Sequence, residues 1–178
     1  MLQIGPHQEY HDTQMTACTN TRFAVFHQAM HLHTEAGLQF IDLTEAIRAI
    51  VVQSGVEYGI VNIQTRHTTT GMIVNEHEPL LLEDMSRVLA RVVPSYDYYL
   101  HNNFEIRTVN MTPDECPNGH AHCQALFLSS SVTLNMLQGE LQLGQWQRIF
   151  FIELDHARPR TVSVMVMGQA VEHTYDWE

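Results

Sequence analysis

The most strongly β-forming part of the chain begins with VTLNMLQGELQL at residues 132–143, and this part decides the fold class. Gln138-Gly139 separates two apolar runs there, a spacing typical of a tight β-hairpin. Two further strands are predicted at residues 147–154 and 160–167, on either side of a turn at residues 157–159. Strands joined by short turns favour antiparallel pairing. We therefore predict an α+β protein with an antiparallel β-sandwich-like core and a few helices.

Upstream of the hairpin, the pattern predicts two helices and three more strands. Asp42 and Glu45 have the spacing of a capping box, which predicts the start of a helix. Gly55 suits the C-terminal end of this helix. Pro79 suits a first helical turn, and the periodicity of residues 80–92 predicts a second helix. The predicted strands lie at residues 19–32, 58–65 and 72–75.

Composition limits the classes of partner. The chain has 178 residues, with 9 basic and 20 acidic side chains and a net charge of −11. This charge would repel nucleic acid and anionic membranes, so neither is an expected partner. The first fourteen residues lack the basic start and apolar stretch of a signal peptide, and Cys18, Cys116 and Cys123 are too unevenly spaced for a disulfide framework. We expect a cytoplasmic protein.

Histidine, with twelve copies, is the most conspicuous residue type. Neutral imidazoles from separate segments can form an open metal site. His120 and His122 would face the same way on a strand but diverge by about 200° on a helix. His120 is near the end of a long predicted loop at residues 95–121, and His122 directly follows that loop. A short helix is predicted further on, at residues 125–128. Three histidine-bearing segments stand out: TRHTTTG at 65–71, YYLHN at 98–102 and DECPNGHAHC at 114–123.

Each of these features also has a simpler interpretation. A single histidine in a loop is more often solvated or hydrogen-bonded than a metal ligand. Cys116 and Cys123 invite comparison with a zinc finger, but their spacing matches no common finger, and Cys123 suits a small buried apolar residue. Arginine pairs such as Arg158 and Arg160 bind phosphate well, or they keep a surface turn hydrated.

Six short segments follow one another along the chain in a specific order. They are QTRHTTTG at 64–71, NE at 75–76, YLH at 99–101, NGHAH at 118–122, GELQLGQWQRI at 139–149 and RPR at 158–160. Together they resemble the YjbQ family, UPF0047. The resemblance covers the chain from about residue 20 to its end. It implies a single domain at residues 19–178, preceded by an extension at residues 1–18. It also implies a homotrimer with sites near the subunit interfaces.

The resemblance further implies a metal site formed by His67, His101 and His122. The metal would be divalent, with zinc expected from the ligand type and magnesium as an alternative. Some family members resemble secondary thiamine-phosphate synthases, which join a pyrimidine diphosphate to a thiazole phosphate and release pyrophosphate. The expected partner is therefore a small phosphorylated metabolite.

Other residues receive roles in this hypothesis. Glu76 is the candidate acid/base or the residue that orients a histidine, and Asp84 is a weaker candidate for the same role. Trp146 and Tyr99 would stack against a flat heterocycle. The candidate phosphate ligands are Arg66, Thr68, Thr69, Arg158 and Arg160.

Two alternatives remain at this point: a metal-dependent hydrolase of a small metabolite, and a non-catalytic trimer that binds an anion or a metal. The sequence also departs from the family pattern. Ser129 replaces a usual glycine, and Asn135-Met136 stands where a proline is usual. If the glycine position required a left-handed backbone, Ser129 would disturb any phosphate-binding loop there.

Overall fold

The computed structural model describes residues 21–171, and the predicted extension at residues 1–18 lies outside the described residues. A short 3₁₀ helix occupies Leu100–Asn102. The helices are α1 (Thr44–Ser54), α2 (Pro79–Val92) and α3 (Gly119–Ala125). The strands are β1 (Thr21–His33), β2 (Gln39–Asp42), β3 (Val56–Thr65), β4 (Thr70–Glu76), β5 (Ser131–Leu137), β6 (Glu140–Leu141), β7 (Gln147–Glu153) and β8 (Pro159–Val171). In this part of the chain, no helix is both long and apolar enough to cross a bilayer.

The strands form two antiparallel sheets. The larger sheet has the strand order β1-β8-β3-β5-β6, and the smaller has the order β2-β7-β4. Val61 and Val164 from the larger sheet share one buried cluster with Phe151 of β7 and Ile47 of α1. This arrangement confirms the predicted α+β fold with an antiparallel core.

Strand β7 is buried on both of its faces. Phe151 faces the larger sheet, whereas Phe150 and Ile152 pack in a second cluster with Ala121 of α3 and Leu89 of α2. A strand buried on both faces needs apolar side chains at successive positions rather than at alternate ones. This requirement explains why Ile149–Ile152 is a continuous apolar run.

The local predictions for the hairpin and for the first two helices agree with the structure. Gln138 and Gly139 both have positive φ angles, 55° and 73°, as a type I′ turn between β5 and β6 requires. Gly55 ends α1 with a φ of 65°, and Pro79 begins α2. Ser129 is not among the described residues with positive φ, so the serine needs no left-handed backbone.

Two local predictions were wrong. The capping box fails because the Asp42 carboxylate accepts the Thr44 N–H, while Glu45 pairs with Arg148 at 3.0 Å instead of returning to the helix start. The third helix is α3, which ends at Ala125 and so shares only this residue with the helix predicted at residues 125–128. Its sequence contains glycine, histidine and cysteine, so its helicity comes from packing against neighbouring elements more than from intrinsic propensity.

Candidate functional site

A cleft of about 560 Å³ opens where the two sheets meet the long loop. Its size is typical of a pocket for a small molecule. The residues come from the β3–β4 turn, the 3₁₀ helix, the long loop, α3 and the β7–β8 turn. They are Arg66, His67, Thr68, Thr69, His101, Arg107, Val109, Asn110, Glu115, Asn118, His122, Arg158 and Arg160.

The turn between β3 and β4 holds His67 in the cleft wall. The hydroxyl groups of Thr65 and Thr70 lie 2.5 Å apart across this turn, and Thr70 also donates to the His67 carbonyl. The His67 Nε2 accepts the backbone N–H of Thr161 at 2.8 Å. Burial, and then the charge of Arg160, lowers the His67 pKa. A neutral ring whose Nε2 accepts a hydrogen bond carries its proton on Nδ1.

His101, on the 3₁₀ helix, and His122, on α3, form a close pair in the same cleft. Their ring centroids are 4.6 Å apart, and the ring planes make an angle of 62°. The His101 Nε2 is buried and has no hydrogen-bond partner among residues 21–171. A buried polar atom without a partner is costly unless a ligand or an ion satisfies it.

The elements that carry this pair are fixed to each other by a close contact. The Asn102 side-chain oxygen accepts the Gly119 N–H at 2.8 Å, which joins the 3₁₀ helix to the start of α3. A Cβ atom at Gly119 would lie 2.6 Å from the Cβ of Tyr99, so only glycine fits at this contact. This approach brings His101 and His122 together.

The helical conformation of α3 separates His120 from His122. His122 lines the cleft, whereas His120 lies near the Tyr99 ring at a centroid distance of 6.4 Å. Burial, and then the neighbouring His101, lowers the His122 pKa. A histidine with a lowered pKa is neutral near pH 7, so it can offer a lone pair to a metal ion.

The fit to a divalent ion is uneven among the three predicted ligands. His101 and His122 lie close together, and His101 has an unused nitrogen. His67 faces the same cleft, but its Nε2 lone pair is already engaged by Thr161. Coordination by His67 through Nε2 therefore requires that this hydrogen bond be broken and that the ring move toward the pair, because the ligand atoms of these three histidines do not all lie within 4.8 Å of one another.

Four of the nine arginines in this acidic chain line the cleft. Three of them are paired with acids: Arg107 with Glu115 at 3.1 Å, Arg158 with Asp155 at 2.9 Å, and Arg160 with Glu153 at 2.5 Å. Arg66 is exposed and forms no ion pair with the described residues. It is therefore the cleft arginine best placed to bind an added anion.

Arg160 and Thr69 belong to a buried network. The Arg160 guanidinium donates twice to Glu153 and once to the Thr69 hydroxyl, at 3.0 Å. Both members of the Arg160–Glu153 pair are almost fully buried. The network supports the cleft wall, while Thr68 is exposed at the cleft surface.

Four residues with predicted roles lie outside this cleft within one chain. Glu76 and Trp146 line a separate pocket of about 370 Å³ together with His77. Asp84 is on α2, where it pairs with Arg87 and borders an apolar groove. Tyr99 lines a neighbouring pocket of about 650 Å³, next to the 3₁₀ helix.

Several other cleft residues were not predicted from the sequence. Arg107 and Glu115 pair within the long loop, where no periodicity marks them. Asn118 is buried and donates to Asp155 at 3.0 Å. The available signal was the pair of acids at the end of an apolar run, Glu153 and Asp155. Carboxylates so placed need a cationic partner nearby.

Comparison with known proteins gives consistent matches over most of the chain. The family described as "UPF0047 protein YjbQ-like" matches residues 28–169. A UPF0047 protein of Methanothermobacter thermautotrophicus is 34% identical over 145 residues, which cover 82% of this chain and 94% of that protein. YugU of Bacillus subtilis, another UPF0047 protein, is 29% identical over 142 residues, covering 79% and 98% of the two chains.

Solved structures agree with this result. A YbjQ-like protein of unknown function from Sulfolobus solfataricus is 29% identical, with a TM-score of 0.73, covering 83% of this chain and 99% of that one. An uncharacterised YjbQ/UPF0047 protein from Clostridium acetobutylicum is 33% identical, with a TM-score of 0.68 and coverages of 78% and 98%. The fold is therefore shared with these proteins over most of the chain.

Proposed function

The chain belongs to the YjbQ-like UPF0047 family, and on this premise we propose that its cleft binds a divalent cation together with a phosphorylated small molecule. The observation that carries the proposal is the pairing of His101 and His122, in which a buried Nε2 has no partner among the described residues. Zinc is the expected ion for imidazole ligands, and magnesium is the alternative.

His67 is the third proposed ligand. Its Nε2 would exchange the Thr161 N–H for the ion, so its net contribution is reduced by the loss of one hydrogen bond, about 1 kcal/mol. The cation, when bound, would act as a Lewis acid that stabilises the charge on a departing diphosphate.

Arg66 and Thr68 are the proposed ligands of the phosphate group. Both are exposed at the cleft, and Arg66 has no acidic partner in the described part of the chain. A guanidinium can bind two phosphate oxygens through paired N–H donors, and a threonine hydroxyl can donate a further hydrogen bond. Arg158 would contribute its charge at the rim of the cleft.

The reaction proposed for the cleft is that of a secondary thiamine-phosphate synthase. The thiazole nitrogen forms a bond with the methylene carbon of the pyrimidine, while the carbon–oxygen bond to diphosphate breaks and pyrophosphate leaves with the electron pair. This substitution requires no general base, because the attacking nitrogen carries no proton. The only carboxylate among the described cleft-lining residues, Glu115, is paired with Arg107. This carboxylate is therefore not free to act as a base, but the cleft histidines can accept a proton, so the experiment below has to distinguish the substitution from hydrolysis.

Two variants on one helix test the proposal. His122→Ala should abolish both metal retention and pyrophosphate release, whereas His120→Ala should leave both close to wild type. The protein is purified without a chelator or an affinity tag, its metal content is determined, and pyrophosphate is measured with each substrate alone and with both. Release that needs both substrates supports the synthase, and release from the diphosphate alone supports the hydrolase. A metal-free wild-type protein would remove the basis of the proposal.

We also propose that the chain assembles as a homotrimer, with the interface close to the cleft. Large apolar side chains are exposed along the long loop and just after α3. They include Tyr96, Tyr98, Ile106, Val109, Leu126 and Phe127. Val109 also lines the cleft. Apolar exposure on this scale is typical of surfaces that are covered by another chain.

A further inference from the structure

A second group of metal-ligating atoms lies beside the cleft, apart from the three histidines of the proposed cation site. The Cys116 Sγ is 3.7 Å from the His156 Nδ1, which is itself 2.8 Å from an Asp155 carboxylate oxygen. All three ligand atoms lie within 4.8 Å of one another. Cys116 comes from the long loop before α3, and the other two residues follow β7, so the fold brings these segments together.

The spacing of these atoms is close to that of a tetrahedral zinc site. Zinc–sulfur and zinc–nitrogen bonds of about 2.3 and 2.0 Å place the two ligand atoms about 3.5 Å apart at the tetrahedral angle. The observed separation of 3.7 Å between Cys116 and His156 differs from this by a few tenths of an ångström. The Asp155–His156 distance would open by about half an ångström, since oxygen and nitrogen ligands stand about 3.3 Å apart on such an ion.

A positive charge already lies among these three ligand atoms. The Arg158 Nη2 is 2.9 Å from Asp155, 2.9 Å from the His156 Nδ1 and 3.5 Å from the Cys116 Sγ. The guanidinium therefore neutralises a carboxylate whose side chain is only 3% exposed. Arg158 itself is one-third exposed, so its side chain can turn outward without unfolding the turn that carries it.

Asn118, which contacts Asp155, has an unsatisfied polar atom beside this group. Its Nδ2 donates to Asp155 at 3.0 Å and so orients the carboxylate. The residue is 6% exposed, yet its Oδ1 has no hydrogen-bond partner among residues 21–171. A water on the open position of a bound ion would supply the missing donor.

We propose that Cys116, Asp155 and His156 form a second cation site, selective for zinc or another thiophilic divalent ion, which is filled in exchange for the Arg158 guanidinium. Binding converts the Cys116 thiol to a thiolate and releases its proton to solvent, with no change of oxidation state. The thiolate and the carboxylate together balance the two charges of the ion. Arg158, which already lines the cleft, is then released from its ion pair with Asp155.

The test is cobalt(II) titration of the full chain, reduced and stripped of zinc, followed by electronic absorption. Cobalt(II) substitutes for zinc, and a thiolate ligand gives a charge-transfer band in the near ultraviolet. The wild type should show this band, and Cys116→Ser should lose it. The matched controls Cys18→Ser and Cys123→Ser should keep it. His122→Ala should also keep the band, because a thiolate band reports the Cys116 site and not the histidine pair. The test of this second site is therefore independent of the test of the histidine site.

His156→Ala provides a second test, because its half-exposed side chain can be removed without disturbing the core. It should weaken the cobalt affinity measured by the band about tenfold or more. Circular dichroism establishes that each variant is folded. Absence of the band from the wild type would overturn the proposal, as would a band that survives in Cys116→Ser or an unchanged affinity in His156→Ala.

Discussion

At the scale of single residues, burial decides the role of each charged side chain in the cleft. Arg160 and Arg66 are both arginines of the same cleft, but Arg160 is buried against Glu153 and Arg66 is exposed without an acidic partner among the described residues. A buried ion pair repays its desolvation cost only while both members are present. Arg160 therefore holds the wall of the cleft, and Arg66 remains available to a ligand.

Replacing Arg160 should destabilise the fold strongly. Arg160→Met leaves Glu153 charged and buried, which costs about 3 to 5 kcal/mol of unfolding free energy in comparable pairs. Urea denaturation measures the loss. The control is Arg87→Met at an exposed pair, where a change within about 0.5 kcal/mol is expected. The double variant Arg160→Met with Glu153→Leu should lose less than the sum of its single variants, and strict additivity would contradict this account.

At the scale of elements, two junctions position the sheets and the cleft. Asp42 ends β2, accepts the Thr44 N–H at the start of α1, and pairs with Arg148 of β7 at 2.9 Å. Gly119 begins α3 in direct contact with the segment around the 3₁₀ helix. Each junction joins elements from distant parts of the chain, so a change at either should act beyond its own element.

The Asp42 junction should make stability depend on acid pH. Burial alone would raise the Asp42 pKa, but hydrogen bonds from Thr44, Arg148 and His77 outweigh it and hold this pKa well below its usual range. A lowered folded-state pKa contributes stability above the unfolded value of about 3.9, and this contribution disappears as the pH falls from there toward the folded pKa.

We therefore expect wild-type stability in urea to fall as the pH decreases below about 4, and Asp42→Asn to lack this part of the decrease. The variant should also be less stable than the wild type at pH 7. Asp84→Asn, at an exposed carboxyl group, is the matched control and should follow the wild-type profile. Equal acid slopes for the wild type and Asp42→Asn would show that Asp42 does not carry the effect.

The Gly119 contact should control the histidine pair. In Gly119→Ala the new methyl group meets Tyr99 at 2.6 Å, so α3 must move away from the 3₁₀ helix and His122 from His101. Overpacking of this kind costs about 1 to 3 kcal/mol, which urea denaturation measures. Metal retention should be lost although the protein still folds. Gly144→Ala is the control, because its methyl group would meet only the flexible Gln147 side chain at 3.4 Å. Unchanged metal retention in Gly119→Ala would show that the contact between Gly119 and Tyr99 does not position the histidine pair.

At the scale of the whole molecule, the cleft lies where separate layers meet. The smaller sheet is packed between the larger sheet and the helices α2 and α3, and the long loop contributes part of the cleft lining. This loop also carries several exposed apolar side chains, and one of them, Val109, lines the cleft. If these side chains are covered by another copy of the chain, the site and the assembly are linked.

Light scattering after size exclusion should give a mass near three times the 20.4 kDa of one chain. Leu126→Glu and Phe127→Glu, at side chains 81% and 62% exposed, should shift the protein toward the monomer, because the proposed interface buries them. Val52→Glu, on the exposed face of α1, should not. A wild-type mass of one chain would disprove the proposed assembly.

The sequence by itself determined the local structure and the fold class. The periodicity of residues 80–92 predicts α2, Gln138-Gly139 predicts the β-hairpin, and successive strands with short turns predict antiparallel sheets. Such patterns report how one segment alternates between apolar and polar faces, and this alternation is a local property of the chain. The segments that resemble the YjbQ family also indicated His67, His101 and His122, which the structure brings to one cleft.

Only the tertiary structure decided which side chains share a site. Packing made residues 119–125 a helix, so His122 faces the cleft and His120 does not. It placed β7 and β8 in different sheets, although only a short turn joins them, and it left Glu76 and Trp146 outside the cleft. Contacts between residues far apart along the chain depend on how whole elements pair and pack. No periodicity within a single segment encodes that pairing.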